Sequence, residues 1–279
     1  MTKKIIATAL GCAFSISATA AEVSIGGDFI WGHHNTNGAT ETESDGDINF
    51  KASTETDSGL SISADFNINE SGDNDGGNSL KIAGSFGKLD LGDTSSAVDA
   101  IDDTTDWGYF LTTGTSAPDH AVRWTLPKVV DGLTINASYA ADTNQDGNDG
   151  GTSVSARYDL GFAKVGYGVL DNDDNTEATI MNATFSVAGV GLAYEVYTTT
   201  DASDVDTDNT AMAATYSIGD VTLAYENAKE ESAGSTSADV TAFGIHYAIA
   251  PELTAFVETS EDDLSADSKA TTIGLAYAF

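Results

Sequence analysis

The feature that most constrains this chain is a rhythm. From Glu22 to Phe279, segments of about ten residues alternate large apolar with small or polar side chains. The closing "TTIGLAYAF" shows the pattern: Ile273, Leu275, Tyr277 and Phe279 fall on one parity, Thr272, Gly274, Ala276 and Ala278 on the other. A period of two is a strand, not a helix. The gaps between segments alternate too: long and acidic, as in "SGDNDGG", then short and Gly- or Pro-bearing, as in "AG", "GD" and "APE". Sixteen such segments are countable, beginning with "EVSIGGDFIWGHH", "DINFKASTE" and "LSISADFNINE". About ten alternating residues is the length of a tilted membrane strand, and unequal connections are the mark of an up-and-down barrel in an outer membrane. The expectation is an all-β, 16-stranded antiparallel transmembrane barrel. Its last strand pairs with its first, so that neither leaves a free edge in lipid. Phe279 then lies at the periplasmic interface with its apolar parity toward lipid.

Two other β architectures fit less well. A soluble sandwich would turn its large residues inward and its charges to water, whereas here the smaller parity reads Gly, Ala, Ser, Thr and Asn, the lining of a water-filled lumen. A calcium-binding solenoid would show a nine-residue Gly-Gly-x-Gly-x-Asp repeat, and none occurs. Pro118, Pro127 and Pro251 all fall in connections, as a hydrogen-bonded ladder requires.

The front end reads as an export signal over 1–21: Lys3 and Lys4, the apolar "IIATALGCAFSIS", then the small residues of "SATAA", with cleavage after Ala20 or Ala21. The barrel is 22–279. Cys12 lies within the signal, and Ala9 stands where a lipoprotein would carry an aliphatic residue, so lipidation is disfavoured and the mature chain has no disulfide. Loss of Lys3 and Lys4, and of no acid, takes the net charge from −33 to −35. Such a polyanion excludes nucleic acid, which needs a basic face. With 41% apolar residues the chain is not a disordered acidic tail either.

One region narrows the family. "GSFGKLDLGD", about 25 irregular residues, then "AVRWTLP" resembles the trimeric general porins of proteobacteria, including the alphaproteobacterial type. Phe86, Gly87, Lys88, Leu89 and Gly92 carry the first phrase; Arg123, Trp124 and Pro127 carry the second. The resemblance implies a third loop folded into the barrel, a homotrimer in contact with outer-membrane lipid and lipopolysaccharide, and passive diffusion of ions and small hydrophilic solutes. It also implies recognition of Phe279 by the barrel-insertion machinery, and trimer contacts through the first strands and the last. Asp90 departs from the family, which places more basic residues in the fifth strand, and the external loops are short.

Cations are scarce, so their parity is informative. Lys51, Lys81, Arg123, Arg157 and Lys164 all alternate against apolar neighbours and so face the lumen. Lys51, Lys81, Arg123 and Arg157 lie on the second, fourth, sixth and eighth strands and form a candidate basic wall. A charge facing lipid at midplane would cost roughly 2–4 kcal/mol, so generic polar lining explains the parity as well as a functional cluster does. The third loop carries Asp99, Asp102, Asp103, Asp106 and Asp119, the candidate acidic side of a constriction. Folded inward, as the resemblance implies, these acids would oppose the basic wall and set a transverse field. Rings of side-chain charge govern ion preference, and the acid excess predicts preference for cations. In the alternative the acids only keep an exposed loop soluble, against which stands the apolar "WGYFL" within it.

Other signals are weaker. Asp142, Asn144 and Asp146 have the spacing of the first half of a calcium loop, but Ser153 stands where the bidentate Glu belongs, so at most a loosely bound Ca2+ is expected and no other cofactor. His33 and His34 are adjacent and point to opposite strand faces, which does not suit a shared metal. No nucleophile-elbow phrase occurs and the histidines lie in unrelated contexts, so an enzyme is not expected. Two rivals remain: a substrate-selective channel of the same fold, for which few aromatics point inward (Tyr197 and Phe256 by parity), and an adhesive or structural barrel plugged by its loops.

Overall fold

A computed structural model describes residues 21–69, 78–102, 121–140, 150–172, 176–264 and 269–279. Each of the alternating segments is a strand: β1 Glu22–Thr36, β2 Ala39–Glu55, β3 Ser61–Asn69, β4 Ser79–Gly84, β5 Gly87–Gly92, β6 Ala121–Thr125, β7 Leu133–Ala140 and β8 Gly151–Asp159. The second half comprises β9 Ala163–Asn172, β10 Glu177–Val187, β11 Val190–Thr200, β12 Asp206–Ile218, β13 Val221–Ser232, β14 Ser235–Ala250, β15 Leu253–Asp262 and β16 Ala270–Ala278. Each strand pairs antiparallel with its neighbours in sequence, and β16 returns to β1 to close the barrel.

The closing seam runs in register from Asp28 opposite Ala278 to Thr36 opposite Ala270. The terminal residue is held by both backbone groups: Gly27 N donates to Phe279 O at 3.0 Å and Phe279 N donates to Gly27 O at 2.9 Å. Its ring lies over Gly27, where a Cβ would sit 2.8 Å from the ring Cζ. A bulky terminal residue is therefore a packed part of the seam rather than a frayed end.

The burial pattern is inside out. Large apolar side chains such as Trp31, Phe66, Tyr167, Met181, Leu192, Ile245 and Ile273 are exposed, while Asp90, Asn136, Ser155, Asn182, Glu226, Glu258 and Thr272 are buried. In water this arrangement would be unstable. In a bilayer the outer parity meets hydrocarbon and the inner one lines a lumen. The outer side chains near the short-turn rim form an aromatic band that includes Trp124, Tyr158, Phe162, Tyr216, Tyr247, Tyr277 and Phe279. Trp124 Nε1 donates to Phe86 O at 2.9 Å there.

Strand limits differ from expectation at two acidic stretches read as loops. β1 turns into β2 at Asn37-Gly38, and β13 into β14 at Ala233-Gly234; in each turn both residues have positive φ. Such two-residue turns match the twist of the flanking strands. The ladder continues through the polar residues because backbone pairing does not depend on apolar side chains, the signal by which the strands were bounded. β1 and β2 thus reach 15 and 17 residues, well beyond the ~9–11 needed to span. β4 and β5 have 6 each.

After β5 the chain turns inward. Val98, just before the short 3-10 turn Asp99–Ile101, and Ile101 at its end are each 1% exposed and pack with Leu170, Ala178, Ile180 and Tyr197 on the inner faces of β9, β10 and β11. The third loop therefore enters the barrel, as shown over residues 93–102.

The lumen and its candidate constriction

The inward loop is gripped through its backbone. Ala97 N donates to Ser138 Oγ and Ser153 Oγ, both at 2.9 Å. Arg123 Nη1 donates to Ser95 O at 3.2 Å and to Ser95 Oγ at 2.5 Å. Arg157 Nη2 and Asn182 Nδ2 both donate to Ile101 O. The close approach depends on Gly166 and Gly168. A Cβ at Gly168 would lie 3.2 Å from Val98 Cγ2, and one at Gly166 would lie 3.3 Å from Ile101 Cδ1.

The residues of the expected basic wall thus divide. Arg123 and Arg157 hold the loop. Lys81 pairs with Asp65 at 2.9 Å, and Lys51 stands directly across from Asp65 in the β2–β3 register. Lys88, on the same inner parity, joins Arg123 on Asp90, at 2.9 and 3.0 Å to Oδ2. Asp90 is fully buried, and its Oδ1 makes no hydrogen bond among the described residues. Asp90 therefore interrupts the basic wall and ties Arg123 to Lys88, a cation outside the expected set.

Of the loop acids, Asp99 and Asp102 lie near Tyr197, close enough to act on its hydroxyl electrostatically together with Glu195. Asp103, Asp106 and Asp119 lie outside the described residues, as do Asp142, Asn144 and Asp146. Tyr197 and Phe256 both point inward and are buried, at 9% and 2% exposure. His33 and His34 bond on opposite faces, His33 with Thr42 at 3.3 Å and His34 with Thr272 at 2.8 Å.

The wall facing this basic side is acidic. Glu195 on β11, Glu226 and Glu230 on β13 and Glu258 on β15 take the inner parity, in step with the buried Ala213, Ala224, Ala242 and Thr272. Among the described residues no lysine or arginine faces the lumen from β10 to β16: Lys229 points outward to Glu231 at 2.5 Å, and Lys269 lies in the last connection. Glu258 accepts from or pairs with His246 at 3.0 Å. Glu195 accepts from Asn182 Nδ2 at 3.4 Å, so the side chain that supports the loop also orients a wall carboxylate. The sequence signal for these acids was the parity already used for the cations: Glu195 between Tyr194 and Val196, Glu258 between Val257 and Thr259. Applied only to the scarce charges, it passed over the abundant ones.

A family profile described as Gram-negative porin matches residues 7–279. The chain belongs to the Gram-negative porin family. No curated protein matches it, but solved porin structures share the fold. Salmonella typhi OmpF, in a complex with daunomycin, aligns with a TM-score of 0.78 at 15% identity over 92% of this porin and 97% of that chain. Vibrio cholerae OmpT in its trimer form aligns at 0.74 and 14% identity, over 94% of this porin and 100% of that chain. An anion-selective porin from Comamonas acidovorans aligns at 0.72 and 13% identity, over 93% and 100%. The porin is thus an outer-membrane β-barrel channel for passive diffusion, in a family of channels rather than enzymes. A fold shared with an anion-selective protein does not set the sign of the preferred ion, so selectivity must be argued from side chains.

Proposed function

We propose that this porin forms a homotrimeric diffusion channel that prefers cations among the small hydrophilic solutes it passes. The observation that carries the preference is the unbalanced lumen. Glu195, Glu226, Glu230 and Glu258 line one wall with no facing lysine or arginine on the same strands among the described residues, while opposite them Lys81 is paired with Asp65, and Lys88 and Arg123 share Asp90. Asp99 and Asp102 add to the acid side. Asp103, Asp106 and Asp119, on the same loop, extend the reading, with Lys51, Lys81, Arg123 and Arg157 as the opposing basic wall. Carboxylates backed by low-dielectric protein act over longer distances than they would in water, and acidic mouths on a chain whose net charge is −33 concentrate cations at low salt. The test is the zero-current potential of the refolded mature protein in a planar bilayer under a KCl gradient. K+ preference at low salt, fading as salt rises, is expected; Cl− preference overturns the reading.

The trimer is supported by wall height. Six residues in β4 and β5 rise about 20 Å along the strand at ~3.4 Å each, and less once tilted, against an apolar band ~25 Å tall. That wall fits better against protein than against lipid, and the similar OmpT was solved as a trimer. Current steps in multiples of three and a trimer-sized band on unheated gels are expected; single steps with a monomer band refute it. Insertion would proceed through recognition of the terminal strand and Phe279, with lipopolysaccharide at the long-loop rim.

A further inference from the structure

We propose that a recess in the inner wall of β11–β14, on the long-loop half of the lumen, is a subsite for small organic ammonium ions in transit. The proposal rests on the cation preference above and adds a ligand class and a place. The recess has a volume of about 240 Å³ and opens on the channel. Glu195 and Tyr197 stand at its β11 end and Glu230 on β13. Its floor is Ala211 and Ala228, which face each other in the β12–β13 register, and Asn209 sits between Tyr197 and Glu230 in the two adjoining registers. Alanine at these inward positions makes the space; any larger side chain would fill it.

The lining chooses its occupant by exclusion. Each carboxylate accepts a hydrogen bond from a neighbour: Glu195 from Asn182 Nδ2 at 3.4 Å, Glu230 from Ser237 Oγ at 2.5 Å. Asp99 and Asp102 add negative charge beside Tyr197. Lys229 also borders the recess, but its side chain takes the outward parity and its Nζ is paired with Glu231 at 2.5 Å, so it leaves the two carboxylates in excess and anions are repelled. A hydrated inorganic cation has no use for a floor of methyl groups. A sugar needs an open aromatic platform, and Tyr197 is 9% exposed. An ammonium carried on one ring or a short branched chain meets both demands: its N–H donors reach the Glu230 carboxylate, the buried Glu195 behind the wall adds negative charge, and its carbons cover the alanines. The volume, below the roughly 300–1,000 Å³ of drug-sized sites, limits it to a small body.

Phenethylammonium is the probe. Added to the long-loop side of the refolded wild-type channel carrying K+ current, it is expected to interrupt the current briefly, with a frequency that saturates with concentration. Glu230→Gln removes one charge-assisted partner and Ala228→Leu fills the floor. Each is expected to weaken the block about tenfold, the size of one such hydrogen bond, with amine-free K+ conductance as the reference for each variant. No saturating interruption in the wild type, or the same block in both folded variants, overturns the subsite. The zero-current potential in the same membranes reads the cation preference separately: K+ preference without block sinks the subsite alone, and Cl− preference sinks the reading beneath it.

Discussion

Ile101→Ala tests how the third loop is held inside the barrel. Ile101 is 1% exposed and packs with Val98, Leu170, Ile180 and Tyr197. The substitution removes three carbons, about 2.4 kcal/mol of transfer free energy at ~0.8 per methylene. With the cavity left behind, large-to-small changes of this kind reach about 2–5 kcal/mol. The bonds from Arg157 and Asn182 go to the backbone carbonyl of residue 101 and survive the change, as do those from Ala97 N to Ser138 and Ser153. The loss therefore falls on docking of the loop, not on closure of the barrel. A loss of about 3 kcal/mol shifts the ratio of docked to undocked loop by roughly a hundredfold. Single-channel recording reads this directly. Brief excursions to higher conductance and greater open-channel noise are expected, while the folded band on an unheated gel keeps its mobility. Ile101→Val, which costs about 0.5–1.5 kcal/mol, should fall between. Conductance and noise identical to the parent in Ile101→Ala would refute the reasoning, because the apolar cluster would then have no part in holding the loop.

Three further outcomes follow from individual contacts. Asp90→Asn removes the carboxylate shared by Lys88 and Arg123. It should move the zero-current potential toward anions and destabilise the barrel by about 3 kcal/mol, the low end for a broken buried pair because Lys88 is partly exposed, as read from urea unfolding in detergent. Gly274→Ala places a Cβ 2.3 Å from Phe256 Cζ and 2.4 Å from the Trp31 carbonyl across the closing seam, so the fast-migrating folded band should be lost at a lower temperature than in the parent. Ala233 holds φ 51° in the β13–β14 turn, a conformation that costs a non-glycine residue about 1–2 kcal/mol; Ala233→Asn should raise the urea midpoint.

The strand count, the inward aim of Arg123 and Arg157 and the closure of β16 on β1 were legible in the sequence. The reason is that lipid on one face and water on the other impose a period of two on each strand separately, a local rule that survives without neighbours. Strand ends were less legible: hydrophobicity stops at the membrane edge, while the β1–β2 and β13–β14 ladders run on through Glu43 and Glu231. The inward third loop came from the resemblance, because nothing within "SSAVDAI" says that its apolar residues meet Leu170 and Ile180. The roles of Arg123 and Arg157 were decided only by tertiary structure. Parity aims both at the lumen, but reaching Ser95 O or Ile101 O depends on where the loop docks. The recess on β11–β14 is likewise absent from any one segment. It exists because the register sets Ala211 against Ala228 and brings Glu195 and Glu230 to the same patch of wall. Solvent determines which face a residue takes, strand by strand; closure of the barrel determines which residues share that face, and closure is a property of all the strands at once.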